Sequence, residues 1–328
     1  MERIWIDVSS LRQVNLLSTL ALKVSKRFGV SVTSVPDERV ARVLRGNGIL
    51  FSTVDGGGPG EIARYANRIL ALKDRVGRIK PDILVSDLDP AAVRTAFGLG
   101  IPVWTFYRGA CDPRQSRIQR MTLPLCEHVF VSEYYPESEA ASAGLIEDQM
   151  VRFRGWNECY LLDEPWCNRP RNESVPSVLL RSTGDADRRL VESALGALAG
   201  APAMVETRLG SEGDGRAGRE GAGKDVSVSV DPPAVLHDLY IGSGRTAAEF
   251  FVVHKPVILL PGRRHSDLAP MYGEIPEVDD QQEIESATQS LLANASRRDM
   301  ERRSTRITRH MRSPMAAFSQ LVPNAFSP

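Results

Sequence analysis

The sequence predicts an α/β protein of two successive domains, each a parallel sheet covered by helices on both faces. Three observations lead there. Short apolar runs alternate with helix-length amphipathic segments from Arg3 onward, the pattern of strands buried on both faces. The alternation breaks between Gly155 and Ser174, a stretch with Pro165, Pro170 and two tryptophans, and then restarts. The length, 328 residues, exceeds what one core ordinarily organises. The expected organisation is a first domain over 1–155, a linker over 156–174, a second domain over 175–295, and a C-terminal helix and tail over 296–328.

The elements follow in order. Arg3–Val8 reads as a strand, and Val14–Phe28 as a helix with Leu17, Leu20, Ala21 and Val24 at helical spacing. Val30–Ser34 is a strand, Pro36–Arg45 a short helix and Ile49–Val54 a strand. The glycine-rich run Asp55–Gly60 then leads to a helix over Glu61–Arg78, striped by Ile62, Tyr65, Ala66, Ile69 and Leu72. Ile83–Ser86 is a strand, and Pro90–Leu99 a helix stopped by Gly98 or Gly100. Val103–Phe106 and Val129–Ser132 complete the strands of the first half. In the second half, strands are expected at Val178–Leu180, Ala203–Val205, Val226–Val230 and Leu239–Ile241. Helices are expected at Ala186–Leu198, Pro233–Leu236 and Arg245–His254, with a further buried strand running up to Pro261. Gln281–Leu292 and Ser296–Arg312 read as the last helices.

Charge and composition narrow the function. Lysine plus arginine and aspartate plus glutamate are both 41, so no overall field favours nucleic acid. Met1–Asp7 runs straight into a strand pattern without the basic and apolar regions of a signal peptide. No apolar run reaches the ~20 residues that a membrane span needs, so a cytoplasmic protein is expected. Cys111, Cys126, Cys159 and Cys167 have neither C-x-x-C spacing nor zinc-finger histidines. No metal site is read and no cofactor is expected. Gly218–Lys224 matches most of a Walker A string, but Asp225 follows instead of Ser/Thr, and a strand follows instead of a helix. It is read as a flexible loop.

The most informative segment is Asp238–Pro261. A short apolar strand ends at Gly242-Ser243-Gly244, and a helix begins at Arg245-Thr246. The first turn of such a helix directs unbonded N–H groups at whatever lies above the turn, which suits an anion. Glu249 falls about one turn inside, where a carboxylate accepts from a vicinal diol such as ribose. Phosphate at the turn and diol at Glu249 make a nucleotide-sized grip. The same residues also fit a bare strand–helix turn with a surface glutamate. The last helix carries Arg297, Arg298, Arg302, Arg303, Arg306, Arg309 and Arg312. Its narrow seam of Met300, Ile307 and Met311 favours docking on a domain with a solvated basic face. A peripheral contact with anionic lipid is the other reading.

Several segments carry a family resemblance: Ile4-Trp-Ile-Asp7, Val14-Asn-Leu-Leu17, Lys80–Ser86, Ala96–Pro102, Thr122–Leu125 and Gly242–Pro261. In this order and spacing the chain resembles the prokaryotic domain of unknown function family 354 over roughly residues 1–265. That family sits among GT-B proteins, which include nucleotide-sugar glycosyltransferases and UDP-GlcNAc 2-epimerase. The resemblance implies two Rossmann-like domains facing across a cleft, with the nucleotide on the second; the basic C-terminal helix read from the arginines follows them. It implies Ser243 and Gly244 as the phosphate turn and Glu249 as the ribose carboxylate. It also shows departures. Gln13 and Asn15 stand where family members carry histidines, and Tyr107-Arg108 where the epimerase has an acid. Arg181-Ser182-Thr183 replace an epimerase histidine, while Asp87 matches an acidic epimerase position. Hydrolytic epimerisation therefore ranks third.

In open parallel sheets the chemistry lies beyond the carboxyl ends of the strands. Those ends supply Gln13, Asn15, Asp87, Asp89, Tyr107, Arg108 and Arg181. Gln13, Asn15, Tyr107 and Arg108 fall on the acceptor side. Arg181 and Arg245 either balance a diphosphate or are solvated surface residues. Asp89 suits the N-cap of the helix from Pro90, and Asp87 is either a base or another helix-end carboxylate. The expected activity is metal-independent glycosyl transfer from a UDP-sugar or similar donor to an unidentified acceptor. A nucleotide-sugar-binding protein that has lost catalysis is the second reading.

Overall fold

The computed structural model describes residues 1–109, 113–164, 177–182, 185–198, 204–209, 238–242, 245–261, 265–275, 277–292 and 294–322. The loop at 210–224, the strand at 226–230 and the helix at 233–236 lie outside these residues, as do Cys111, Cys167, Ser243 and Gly244. The chain divides into two compact units. One is Met1–Tyr160 with the segment from Ser313 onward; the other is Leu161–Arg312.

The first unit opens with β1 (Arg3–Val8), α1 (Val14–Val24), β2 (Gly29–Ser34), α2 (Glu38–Gly46), β3 (Phe51–Thr53) and α3 (Gly60–Ile79). It continues with β4 (Ile83–Ser86), α4 (Pro90–Gly98), β5 (Val103–Phe106), α5 (Pro113–Thr122), β6 (His128–Ser132), α6 (Glu137–Ser142) and β7 (Met150–Phe153). The sheet is seven-stranded, in the order β3-β2-β1-β4-β5-β6-β7. Every pairing in it is parallel. Its central strands are buried throughout because helices cover both faces, which is why they read as unbroken apolar runs. The order reverses between β1 and β4, a topological switch point.

Helix ends follow local chemistry. Asp37 caps α2 by accepting from the Arg39 amide. Asp89 caps α4 by accepting from the Ala92 amide at 2.8 Å, with Pro90 at the first helical position, as its sequence position implied. The first helix is shorter than expected. It ends at Val24, and the next residues turn so that the Gly29 amide bonds the Glu2 carbonyl and starts β2.

The stretch read as a linker opens inside the first unit instead. Trp156, Cys159 and Tyr160 are buried, and Asn157–Asp163 forms a 3-10 turn. α5, α6 and β7 were not anticipated. α5 has an arginine-rich sequence with no strong apolar stripe, and α6 has only six residues.

The second unit holds β8 (Ser177–Ser182), α7 (Asp185–Leu198), β9 (Met204–Leu209), β10 (Leu239–Gly242), α8 (Arg245–Val252) and β11 (Val257–Leu259). A short α9 (Ala269–Tyr272), α10 (Gln281–Leu292) and α11 (Asn294–Thr308) follow. Its described strands form a parallel sheet in the order β11-β10-β8-β9. Leu239, Tyr240 and Ile241 of β10 are buried, and Tyr240 stacks on Phe250 of α8 at 5.1 Å.

The C-terminal region departs from the expected single basic helix and tail. α11 stops at Thr308, and α12 (Pro314–Leu321) begins after Ser313, which caps it by accepting from the Met315 amide. α12 packs on β6 and β7 of the first unit. Phe318 is fully buried there, edge-on to Trp104 at 5.4 Å and tilted against Phe130 at 5.9 Å. The basic face of α11 is partly neutralised. Arg302 and Arg303 pair with Asp299, and Arg306 with Glu274. No helix among the described residues is long and apolar enough to cross a membrane.

Candidate functional site

At the switch point the carboxyl ends of β1 and β4 bring three carboxylates together: Asp7, Asp87 and Asp89. Asp7 ends the apolar run of β1 and is fully buried. The Thr33 hydroxyl donates to it at 2.5 Å, and Trp5 Nε1 donates in turn to Thr33 Oγ1 at 2.7 Å. Arg68 reaches in from α3. One guanidinium nitrogen spans both Asp7 oxygens at 2.9 and 3.2 Å, and Nε reaches Asp89 at 3.3 Å. Its remaining nitrogen bonds the carbonyls of Ser34 and Val54. One cation thus ties together the ends of β1, β2, β3 and β4. Burial pushes the Asp7 carboxyl up to about 7, against the pull of the Arg68 guanidinium and with a further push from Asp89.

Asp87 stands half-buried immediately after β4. It accepts from the Ser9 amide at 3.0 Å and the Ser9 hydroxyl at 2.5 Å. Loss of water raises its pKa, hydrogen bonds from Ser9 and Ser10 lower it, and Asp89 raises it. The next residue, Leu88, has φ +72°, a left-handed conformation that costs a branched side chain of this kind about 1–3 kcal/mol. That turn separates Asp87, directed to the β1–α1 loop, from Asp89, which caps α4.

The end of β5 gathers three of the four expected acceptor-side residues. Gln13 is buried and donates through Nε2 to the Phe106 carbonyl at 2.8 Å. Tyr107 is buried edge-on against Tyr135. Arg108 is buried in an ion pair with Glu158, so its charge is neutralised within the unit. Asn15 is the second residue of α1 and is half-buried. Sequence reading missed Asn157 and Glu158. Asn157 donates to the Tyr107 carbonyl at 3.0 Å across 50 residues of sequence, and no local pattern announces such a pair. Gly109 has φ +70°, and a Cβ there would run into the Tyr135 hydroxyl. Cys126 is buried at the opposite, amino ends of β5 and β6, and burial pushes its thiol up to about 12, so it stays protonated.

In the second unit, β10 ends at buried Gly242 and α8 starts at Arg245. Thr246 is buried and Glu249 half-buried. Arg245 turns inward and meets both oxygens of Asp267 at 3.0 Å, so its charge is taken up inside the unit rather than held open for a diphosphate. Arg181 lies in β8, and its side chain falls outside the described residues. Among the described residues, Asp279, Asp280 and Glu283 form an exposed acidic group. Asp280 is engaged in it as the cap of α10, accepting from the Glu283 amide at 2.8 Å.

Solved structures share this fold along the whole chain. A UDP-GlcNAc 2-epimerase from Neisseria meningitidis, solved with UDP-GlcNAc bound, aligns with a TM-score of 0.66 at 14% identity, covering 98% of this chain and 99% of that one. A putative UDP-N-acetylglucosamine 2-epimerase from Listeria monocytogenes gives 0.68 at 12% identity over 98% and 97%. MurG from Acinetobacter baumannii gives 0.58 at 13% identity over 99% of each chain. At such identities the likeness establishes the fold, two Rossmann-like units of the GT-B type. No curated protein matches the sequence. Residues 2–168, more than half of the chain, match the family model described as "Protein of unknown function (DUF354)", and the chain belongs to that family.

Proposed function

We propose that this protein is a GT-B-type glycosyltransferase that takes a nucleotide sugar, foremost a UDP-sugar, and works without a metal. The observation that carries the reading is the start of α8. It follows directly on the carboxyl end of β10, at the centre of its sheet, with Glu249 one turn inside. A helix N-terminus there supplies N–H dipoles to a diphosphate, and Glu249 accepts from the ribose diol. Neighbours with UDP or UDP-GlcNAc bound support the donor class.

In this reading Asp87 is the base. The acceptor hydroxyl oxygen attacks the anomeric carbon, its proton passes to Asp87, and the bond from that carbon to the diphosphate oxygen breaks. The electron pair leaves with the diphosphate. Ser9 fixes the carboxylate by two bonds, so that its open lone pairs keep one direction.

A second reading is a nucleotide-sugar-binding protein without turnover. It is favoured by the neutralised guanidiniums of Arg108 and Arg245, which leave fewer open charges for chemistry. Epimerisation at C2 stands third. One experiment separates them: incubation with a panel of UDP-sugars and simple sugar acceptors, followed by UDP release, product mass and thermal shift. UDP with a new glycoside supports the first reading. A thermal shift without UDP supports the second. UDP with a C2-inverted sugar supports the third, and no thermal shift with any nucleotide sinks all three.

A further inference from the structure

We propose that Arg68 is a positioning residue for Asp87, acting through Asp89: the guanidinium sets how much negative charge surrounds the carboxylate at the switch point. The inference rests on the reading of Asp87 as the base, but its central test does not require turnover.

The geometry is specific. Three carboxylates crowd the ends of β1 and β4, and the guanidinium that bonds Asp7 and Asp89 does not bond Asp87. Asp87 is held instead by neutral donors, the Ser9 amide and hydroxyl together with Ser10. The charged group acting on Asp87 is therefore Asp89 across the Leu88 turn, which Arg68 pairs; Asp7, its carboxyl pushed up to about 7, keeps its proton in the acid range. Leu88 at φ +72° aims the two neighbouring carboxylates at different partners while keeping them close. Arg68 is itself immobilised by the Ser34 and Val54 carbonyls, so its charge stays in place. A fixed cation paired with Asp89 and withheld from Asp87 makes Asp87 sensitive to that pairing.

The test is the carboxyl-carbon NMR titration of the full chain labelled at aspartate, with the Asp87 signal assigned by its loss in Asp87→Asn. Asp89→Asn removes one repelling charge and keeps an effective cap, since asparagine caps as well as aspartate. It should lower the Asp87 midpoint by about half a pH unit or more. Arg68→Met unmasks the Asp89 charge and should raise the midpoint by about as much. A purely structural role for Arg68 predicts lower stability in both variants and no opposed shifts. If Arg68→Met does not fold, Arg68→Gln, which keeps a donor for the Ser34 and Val54 carbonyls but no charge, replaces it and should shift the midpoint in the same upward direction. Midpoints that stay within about 0.3 unit of wild type, or that move against these signs, overturn the proposal. In an active enzyme the acid limb of the pH–rate profile should move with the midpoint. Shifted midpoints without turnover of any UDP-sugar uphold the coupling and discard Asp87 as a base.

Discussion

Asp87 offers the most direct test of the proposed chemistry. Asp87→Asn keeps the size and removes the base, and it should cut turnover by about 10²–10⁴-fold with donor affinity preserved. Equal turnover in the variant places the base elsewhere. Glu249→Ala should weaken UDP binding by about 1–3 kcal/mol, measured by calorimetry, through loss of a charge-assisted bond. Unchanged affinity removes the ribose role. Asp7 carries a prediction about pH. Its carboxyl moves from 3.8 to about 7 on folding, so between those values the folded state holds more proton than the unfolded one. Stability from this group therefore declines as pH rises through that window and is lowest above it. Asp37, held down by Arg39, and Asp82, held down by the Glu2 and Arg3 amides, act in the opposite sense, losing stability in acid. Thermal unfolding between about pH 5 and pH 8 should show the wild-type midpoint falling with pH, and Asp7→Asn should flatten that fall. An equally steep fall in the variant contradicts the assignment. These partnerships were invisible in the sequence. Arg68 reads as one more arginine of an amphipathic helix, yet its partner Asp7 lies 61 residues away. Asp89 was legible as a cap because its bond to Ala92 spans only three residues.

Elements divide in the same way between local signal and distant context. β1, β4, β5 and β6 were legible because a strand buried on both faces must be apolar throughout. β7 escaped because it is an edge strand whose run, Met150-Val-Arg-Phe153, carries a charge. α12 is not among the expected helices, although Ser313 followed by Pro314 is a helix-start signal and Met315 and Phe318 are three apart on one face. What no local pattern reveals is its docking place. Phe318 lies between Trp104 and Phe130, and Phe318→Ala should cost about 3–5 kcal/mol, the usual loss for a buried phenylalanine. Denaturant unfolding monitored by tryptophan fluorescence, with Trp104 as the reporter, checks this. A loss under about 1 kcal/mol would mean that α12 is only loosely seated.

The two-domain organisation was readable from the break in strand–helix alternation, but the division of the chain was not. The first unit takes residues from both sides of the second: Met1–Tyr160 and the segment from Ser313. Deleting everything from Ser313 onward should therefore destabilise the first unit and leave the second at its own midpoint. Calorimetry of the truncated chain should show the earlier transition belonging to the unit that contains Trp104. A shift confined to the second unit contradicts this. The return of α12 also has a consequence for biosynthesis. When Tyr160 leaves the ribosome, the aromatic surface of Trp104 and Phe130 lacks the helix that closes it, and that helix is made only after the whole of Leu161–Arg312. At roughly 5–20 residues per second, the intervening stretch of about 150 residues takes on the order of ten to thirty seconds to translate. Throughout that interval the nascent first unit presents an open greasy flank, a natural holding site for a ribosome-associated chaperone. A ribosome that stalls within the second unit therefore leaves a first unit without the helix that covers Trp104 and Phe130.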